Sequence, residues 1–368
     1  MAGPENIAFS DLAGWPDHDH KAAFAAFCHS AQYLLKCKPS TRDGSARAEE
    51  LLELSRLALS LGEDISPCEA KTFFEKHFQP VSLPGPGLLT GYYEPVFEGR
   101  LQPDEIFRFP LHKRPADLVS INAQQAEAAG FTSETSFARK GDKGYAFHYS
   151  RAEVMDGALE GQNLELVWLR DPFEAYIIHI QGSAKIDLGE GRLLPIVFDG
   201  KSGQPYKSLG KLLIEQGIFS IETITMDGLI DHLRSLGDDG ARMLEQNPSY
   251  IYFRIAEEDE GMIGAFGPKA AAGVPLIPMR SIAVDRHLHT FGLPFWLQTS
   301  LPDATGEAKP FRQMVFAHDT GSAIKGGARG DLFVGTGAEA GACAGRLQQD
   351  THFICLMPKP VVEQREEE

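Results

Sequence analysis

Apolar residues recur at helical spacing in the first part of the chain, between residues 18 and 78. The segment 46–62 repeats the i, i+3, i+4 pattern, and a further run begins at a Ser-Pro pair, which is typical of a helix start. The clearest apolar stripe is formed by Ala23, Phe27, Ala31 and Leu34. We therefore predict that residues 1–80 are largely helical.

The pattern changes at a Pro-Gly-Pro-Gly turn over residues 84–87, which precedes an aromatic, strand-like segment. From about residue 100 to 245 the signals are mixed. Two strands are predicted at Leu164–Leu169 and Ala175–Gln181, joined by a polar turn at 170–172. Leu-Ile-rich helices follow over 205–237.

From about residue 250 onward, the chain reads as short strands separated by turns. The apolar runs that indicate them are SYIYFRI, RSIAVD, FWLQTS, RQMVFAHD and HFICLMP. Their number and short spacing favour a barrel over an open doubly wound sheet. The predicted fold class is mainly β with a helical N-terminal region.

Composition and charge narrow the class of protein. With 368 residues and 43% hydrophobic residues, the chain is long enough for two globular domains. Its formal net charge of −16 would repel a phosphate backbone, so we expect no nucleic-acid partner. The charge does not exclude neutral polymers such as polysaccharides as partners.

Cysteine spacing and hydropathy exclude a zinc motif and a membrane-spanning segment but do not indicate a function. The five cysteines show no CxxC spacing, so no structural zinc site is predicted. Cys28 and Cys68 flank a helical segment; they either pair in an oxidising compartment or are small buried hydrophobes, as the other cysteines are expected to be. We find no apolar stretch long enough to span a membrane, and the first 15 residues lack the pattern of a signal peptide. The chain is expected to be either cytosolic or without its leader.

The densest chemical signal lies in residues 317–347, where eight glycines fall between Gly321 and Gly345. Two carboxylates stand there, Asp319 after one strand and Asp331 before a short apolar run. If the strands are neighbours, the two acids interact and the pKa of one rises, which suits proton donation. Aspartates beside glycines also cap turns, and that reading stays open. A P-loop is excluded because Gly327 occupies the lysine position.

Histidines suggest a metal site only weakly. His287, His289 and His318 could combine with Asp285 or Asp319, and we expect His287 and His289 to share one face of a strand. No known ligand motif accompanies them, so we predict no metal and no cofactor.

Two further segments carry polar and aromatic groups that suit a sugar-binding groove. The first, at residues 88–100, contributes Thr90, Gly91, Tyr92 and Tyr93, with Glu94 as a third carboxylate that is more simply read as a solvated strand residue. The second, at residues 179–191, places Gln181, Gly182 and Ser183 at a predicted strand end.

Six motifs, in this order, resemble the membrane-bound lytic murein transglycosylase A family. They are TGYYEP, IQGSAKIDLGEG, YKSLGKLLIEQG, EQNPSYIYF, AVDRHLHTFGLPF and HDTGSAIKGGARGDLFVGTGAEAGACAG. The resemblance covers about Leu88 to Pro358, which is most of the chain. The sequence departs from the family pattern at Ser322, where a second glycine is common, and at the HTFGLP segment after Asp285.

The resemblance implies a discontinuous double-psi β-barrel domain formed by residues 1–95 and 251–368. An inserted smaller β-domain, residues 96–250, is expected to line a glycan groove.

The resemblance also implies an activity. Family members cleave the β-1,4 bond between N-acetylmuramic acid and N-acetylglucosamine in peptidoglycan without adding water, leaving a 1,6-anhydro sugar. By motif, Asp331 is the catalytic acid/base and Asp319 its support. The substrate-binding residues implied are Thr90, Gly91, Tyr92, Tyr93, Gln181, Gly182, Ser183, Lys325 and Asp285.

The same resemblance implies a periplasmic location, association with the outer membrane through a leader that this sequence lacks, and peptidoglycan strands and other cell-wall enzymes as partners. Two alternatives remain open. One is a hydrolytic glycosidase that pairs Asp331 with Asp319 or Glu94, and the other is a glycan-binding module without activity.

Overall fold

A computed structural model describes residues 3–36, 48–62, 64–220, 223–257, 266–302 and 307–360. The chain forms two compact units. Unit 1 contains Met1–Tyr93, Ile263–Gly335 and Glu339–Glu368, and unit 2 contains Glu94–Met262 and Thr336–Ala338.

The described residues form strands and helices throughout both units. In chain order the strands are β1 Glu5–Asn6, β2 Phe78–Ser82, β3 Gly87–Glu94, β4 Val96–Glu98, β5 Phe109–His112, β6 Leu118–Ser120, β7 Phe137–Gly141, β8 Gly144–Ala146, β9 Glu165–Leu169, β10 Ser183–Asp187, β11 Leu193–Lys201, β12 Ile251–Ile255, β13 Ser281–Val284, β14 Pro294–Pro302, β15 Ala308–Asp319, β16 Arg329–Thr336 and β17 Gln348–Pro358. The α-helices are α1 His20–Leu34, α2 Ala48–Leu61, α3 Pro67–His77, α4 Ala123–Ala128, α5 Arg151–Met155, α6 Pro172–Gln181, α7 Leu209–Glu215, α8 Met226–Ser235, α9 Asp238–Met243 and α10 Ala338–Ala344. Short 3₁₀ helices lie at Phe9–Asp11 and Leu244–Gln246.

The N-terminal helices confirm the helical pattern and begin at polar caps. The Asp19 carboxylate accepts a hydrogen bond from the Ala22 amide at the start of α1. At the start of α3, Ser66 and Glu69 form a capping box and Pro67 occupies the first turn, where its missing N–H costs nothing. These caps satisfy amide groups that have no partner within the helix.

Six strands of unit 1 close into a barrel. Around the circle, each strand is hydrogen-bonded to the next in the order β17, β14, β15, β13, β16, β3 and back to β17. The β13–β15 pair is parallel, whereas β13–β16, β14–β15, β14–β17 and β17–β3 are antiparallel. The prediction of a mainly β protein with a barrel is confirmed.

The barrel and the N-terminal helices share one hydrophobic core. Phe27 of α1 lies 6.1 Å from Phe316 of β15, measured between ring centroids. The large side chains that are almost completely buried in this core include Trp15, Phe24, Phe27, Phe74, Phe78, Phe295, Trp296 and Phe316. Burial of aromatic side chains of this size is a main source of folding free energy, so the helices stabilise the barrel that carries the site.

Unit 2 contains smaller sheets. Its four-stranded sheet has the order β12-β11-β10-β4, and two smaller sheets consist of β5-β9 and β6-β7-β8. A core of apolar residues lies between the four-stranded sheet, the β5-β9 sheet and α6. Its fully buried members include Leu111, Val167, Ile178, Ile186, Ile196 and Phe253.

One predicted strand in unit 2 is wrong. Leu164–Leu169 contains β9 as expected, but Ala175–Gln181 is the second part of helix α6. The Asp171 side chain caps the helix and Pro172 occupies its first turn, so the predicted polar turn is a helix start. Apolar residues on several sides of a short buried helix remove the periodicity that would have identified it.

Two other expectations concern the cysteines and the membrane. Cys68 is an exposed free thiol and Cys28 is buried, so the predicted alternative of a Cys28–Cys68 disulfide is wrong; Cys37 lies outside the described residues. Within the described ranges, no helix has the length and hydrophobicity needed to cross a bilayer.

Candidate active site

Two aspartates lie on one face of the barrel wall because of how three strands pair. Ala283 of β13 is in register with Asp319 of the parallel strand β15 and with Asp331 of the antiparallel strand β16. Residues that are directly opposite on paired strands point to the same face of a sheet. With neighbouring strands about 4.8 Å apart, the two aspartate backbones are separated by about 10 Å, with a methyl group between them. The structure therefore brings together the two acids that the sequence singled out.

Asp331 takes part in a short chain of hydrogen bonds. The Thr90 hydroxyl donates to Asp331 Oδ1 at 2.5 Å, and Arg329 Nη2 donates to Thr90 Oγ1 at 2.8 Å. A hydroxyl has a single hydrogen, so by accepting from Arg329 the Thr90 oxygen is oriented to donate to the carboxylate. Within the described part of the chain, no other hydrogen bond reaches Asp331, and its Oδ2 is left for other contacts.

Burial raises the pKa of Asp331 above its ordinary value. The Thr90 hydrogen bond and the Arg329 charge offset part of this rise in the pKa, and the neighbouring Asp319 charge adds to it. Compared with an ordinary aspartate, a larger fraction of Asp331 is protonated near neutral pH. The residue can therefore act as a proton donor.

Asp319, the last residue of β15, is surrounded by donors. Its Oδ1 accepts from the amides of Thr320 at 2.9 Å and Ala271 at 3.2 Å, and its Oδ2 accepts from the Tyr92 hydroxyl at 3.0 Å. Burial raises the pKa of Asp319, and these three hydrogen bonds offset part of the rise. Both oxygens of Asp319 are thus engaged, which suits a supporting residue better than one that exchanges protons.

Tyr92 links β3 to this support. It is buried beside Ala283, Ile324 and Phe333. Burial and the Asp319 charge raise the pKa of the Tyr92 hydroxyl, which stays protonated and able to donate. The short Ala283 side chain is consistent with the Tyr92 ring reaching across the sheet to Asp319.

Asp285 holds the loop that precedes Asp331. Its Oδ1 accepts from the His287 amide at 3.1 Å and its Oδ2 from the Gly326 amide at 3.0 Å. Burial by itself would raise the pKa of Asp285, but the two amide hydrogen bonds and the Lys325 charge outweigh it and lower the pKa. Asp285 and Lys325 thus stabilise the glycine-rich loop, and their contact with substrate stays a prediction.

Comparison with known proteins identifies families and structures that are similar to this chain. The family model described as the MltA specific insert domain matches residues 88–254, and the 3D domain model matches residues 280–357. A crystal structure of a membrane-bound lytic murein transglycosylase from Agrobacterium tumefaciens is 35% identical and superposes with a TM-score of 0.87, covering 97% of this chain and 98% of that one. This chain belongs to the membrane-bound lytic murein transglycosylase A family.

Other similar proteins carry the same family name. Membrane-bound lytic murein transglycosylase A of Vibrio cholerae is 32% identical over 270 residues, which are 72% of this chain and 63% of the relative. The Escherichia coli K12 protein of that name is 31% identical over 262 residues, 70% of this chain and 61% of the relative. The chain thus spans less than two thirds of these curated relatives. A crystal structure of MltA from Neisseria gonorrhoeae is 28% identical with a TM-score of 0.75, covering 97% and 94% of the two chains.

The other predicted residues of β3 in this MltA-family chain pack against α10. A Cβ atom added to Gly91 would lie 3.0 Å from Ala344 Cα, and one added to Gly341 would lie 2.8 Å from the Tyr93 ring. The approach at Gly341 is closer than a Cβ atom normally allows and the one at Gly91 is tight, so close packing accounts for Gly341 within the glycine cluster of residues 317–347. Sugar contacts by Gly91 and Tyr93 stay predictions.

Glu94 is not the solvated residue that the sequence suggested. It is 1% exposed, Lys185 Nζ lies 3.3 Å from its Oε2, and the Thr336 hydroxyl donates to the same oxygen at 2.8 Å. Burial raises the pKa of Glu94, and the Lys185 charge and the Thr336 hydrogen bond oppose that rise. Both partners of Glu94 are distant in sequence, so an interpretation based on the following proline could not identify them.

Gln181 is the last residue of α6, Gly182 follows it, and Ser183 is the first residue of β10, so these residues mark the end of a helix and the start of a strand. Gly182 is the helix C-cap with a φ of 81°, a left-handed conformation that glycine adopts without strain. Ser183 is buried. Their role in binding stays a prediction for this family member.

The histidines do not assemble a metal site. His287 and His289 lie in a turn after β13, so the prediction that they share a strand face is wrong. His289 Nε2 lies 2.8 Å from the Gly327 carbonyl. Buried His318 contacts the hydroxyls of Ser30 at 2.6 Å and Ser281 at 2.8 Å, and burial lowers its pKa to about 3. In the part of the chain that the structure describes, no group of three or more potential ligands could hold a metal ion.

Sequence reasoning missed Arg329 and Ala283. Arg329 precedes Asp331 by two positions in a strand, and residues at that spacing share a face. That alternation could have identified Arg329. No local signal indicates Ala283, because its importance comes from pairing with two strands that are distant in sequence.

Proposed function

We propose that this chain is a lytic transglycosylase that cleaves the β-1,4 bond between N-acetylmuramic acid and N-acetylglucosamine in peptidoglycan. The observation that carries the proposal is the contrast between Asp331, with one donor and a raised pKa, and Asp319, with three donors. A single available carboxylic acid fits non-hydrolytic cleavage, since glycosidases generally use two carboxylates. Family membership supports the same activity.

The proposed reaction needs one acid in two steps. Protonated Asp331 donates its proton to the glycosidic oxygen, and the bond from that oxygen to the anomeric carbon of N-acetylmuramic acid breaks. The Asp331 carboxylate then takes the proton from the 6-hydroxyl of the same sugar as that oxygen bonds to the anomeric carbon. The product is a 1,6-anhydro sugar, no water is consumed, and Asp331 is protonated again.

The neighbouring residues support these steps. Thr90 and Arg329 stabilise the carboxylate that forms after the first step, because both lower the pKa of Asp331. Since the Thr90 hydroxyl occupies Oδ1, Oδ2 is the oxygen that we expect to transfer the proton. The Asp319 charge opposes ionisation of Asp331 and keeps it a usable acid.

The proposal extends to finer features that the family implies. The six-stranded barrel is a double-psi barrel, residues 96–250 act as an inserted domain, and Gln181, Gly182 and Ser183 bind glycan. The protein acts in the periplasm at the outer membrane, alongside other cell-wall enzymes. The family, whose members are named membrane-bound, supports a cell-envelope location.

Digestion of purified sacculi tests the activity. Mass spectrometry of the fragments released by the intact chain should show 1,6-anhydro ends, whereas ends that have gained water would favour the hydrolytic alternative. Asp331→Asn should release fragments about a thousandfold more slowly. Asp142→Asn, an exposed matched control in the turn between β7 and β8, should behave as the unmodified chain. Binding to sacculi without any release by the unmodified chain would instead support a non-catalytic module.

A further inference from the structure

A polar groove opens on the wall of the barrel in unit 1, apart from the two aspartates. Its volume is about 530 Å³. Strands β3, β14 and β17 contribute the side chains that line it, Leu88, Thr299, Ser300, Gln348, Gln349 and Asp350. None of these residues has a role in the proposed proton transfers.

Strand register connects this groove to Asp331. In the antiparallel β17–β3 pair, Gln348 is opposite Thr90, and Asp350 is opposite Leu88. Opposite residues share a face, and so do residues two positions apart on a strand. Leu88, Gln348 and Asp350 therefore lie on the same face as Thr90, whose hydroxyl binds Asp331.

The distance between the two places is short. Leu88 and Thr90 are two positions apart, which is about 7 Å along an extended strand. That length is on the scale of a single sugar ring. A polymer whose cleaved bond lies at Asp331 would reach the groove with the next residues of its chain.

The chemistry of the lining favours an uncharged polar ligand. Among the described lining residues there is no lysine or arginine, so the groove lacks the cations that phosphate or carboxylate ligands require. The Gln348 amide can donate and accept, and the Asp350 carboxylate accepts from hydroxyl and amide groups. The Thr299 hydroxyl donates to the Asp350 carbonyl at 2.9 Å, which leaves its lone pairs to accept from a ligand.

Leu88 adds an apolar surface to this set. The residue is 37% exposed, so it can offer apolar contact to a ligand in the groove. An amino sugar with an N-acetyl group offers hydroxyls, an amide and a methyl group together. The free carboxylates of a peptidoglycan stem peptide would instead be repelled by Asp350.

We propose that this groove binds sugar residues of the glycan strand next to the bond that Asp331 cleaves. The proposal rests on the proposed function and adds a binding subsite on β3, β14 and β17. It predicts that the groove contributes to affinity for the strand and takes no part in proton transfer.

The test combines Gln348→Ala with Asp350→Ala. A matched control combines Gln124→Ala with Glu127→Ala, which replaces the same kinds of side chain on exposed positions of α4 in unit 2. Binding is measured by calorimetry in the Asp331→Asn background, with soluble glycan strands whose stem peptides have been removed by an amidase. The groove variant should bind about tenfold more weakly than the control, equivalent to about 1.4 kcal/mol.

A second pair of substitutions, Gln348→Glu with Asp350→Asn, keeps side-chain size and guards against a folding defect. It should also weaken binding, with an unchanged melting temperature. In the active background, the groove variants should raise KM with little change in kcat, because they leave the acid intact.

Affinity equal to that of the control on stripped strands would overturn the proposal. Weakening that appears only with strands that keep their stem peptides would overturn it too, and would assign the groove to the peptide. Failure of the proposed function is a separate result, since it would appear as the absence of anhydro products from the unmodified chain.

Discussion

The ends of β15 and β16 present the same kind of residue in two different settings. Asp319 and Asp331 are both opposite Ala283, and burial raises the pKa of both. They differ in their hydrogen bonds, because three donors engage Asp319 and one engages Asp331.

A raised pKa alone therefore does not distinguish the two aspartates, whereas their hydrogen bonds do. Glu94 of unit 2 makes the same point, since burial raises its pKa while Lys185 and Thr336 hold one of its oxygens. The number of donors that already occupy a carboxylate is the more informative quantity. Four predictions test the comparison, from the largest expected effect to the smallest.

The largest effect is expected on turnover. Asp331→Asn should lower kcat on sacculi by about a thousandfold, because the amide cannot supply a proton. Asp319→Asn should lower it by only about ten- to a hundredfold, through misplacement of its neighbours. Initial rates of anhydro-muropeptide release give both values. Equal losses in the two variants would mean that the acids work as a pair and that the comparison is wrong.

For the free energy of unfolding, we expect a larger loss from substitution of Asp319 than of Asp331. Asp319→Ala leaves two amides and the Tyr92 hydroxyl without their acceptor, and should lower the free energy of unfolding by about 2–3 kcal/mol. Asp331→Ala frees only the Thr90 hydroxyl and should cost less than about 1 kcal/mol. Urea unfolding measures both, and Asp319→Asn, which retains an acceptor oxygen, is the control. A larger loss in Asp331→Ala than in Asp319→Ala would contradict the assignment of support to Asp319.

A smaller effect is expected in the pH profile of kcat/KM. The Thr90 hydrogen bond lowers the pKa of Asp331, so Thr90→Val should raise this pKa further. Activity requires the protonated acid in the first step and is lost as the pH rises through its pKa. The alkaline limb should therefore move to higher pH in Thr90→Val.

Thr90→Ser keeps the hydroxyl and serves as the control, with an alkaline limb where the unmodified chain has it. Arg329→Gln should move the limb in the same direction as Thr90→Val, since the Arg329 charge also lowers the pKa of Asp331. A limb that stays in place in Thr90→Val would show that the Thr90 contact does not influence the acid.

The smallest effect concerns the thermal stability of Asp331→Asn. A carboxyl whose pKa is raised in the folded state stabilises the fold below its unfolded pKa, and this contribution is lost as the pH rises through the folded pKa. Removing the charge should therefore raise the melting temperature by about 3 °C at neutral pH. Near pH 3, below the ordinary aspartate pKa of about 3.9, the gain should vanish. Calorimetry at both pH values checks it, and a gain of equal size at low pH would show that burial of the charge is not the cause.

Much of the fold could be read from local patterns. The helix start at Ser66 follows from its Ser-Pro pair, and the barrel follows from the number and short spacing of the strands predicted after residue 250. The error at α6 arose where a helix is buried on several sides, because its periodicity is then lost. Glu94 was misread for a related reason, since nothing near it in sequence reveals that Lys185 is its partner.

The sequence by itself determined which residues are candidates for the chemistry. The aspartates, Thr90 and the glycines that permit close packing are local features, and their motifs sufficed to indicate the family. Only the tertiary structure shows that the two aspartates have different hydrogen-bond partners. β13 lies between β15 and β16, Ala271 and Tyr92 donate to Asp319, and Thr90 donates to Asp331, all from positions distant in sequence. Hydrogen bonds between groups so distant in sequence form only when the barrel closes, and they are the basis on which we propose different roles for Asp331 and Asp319.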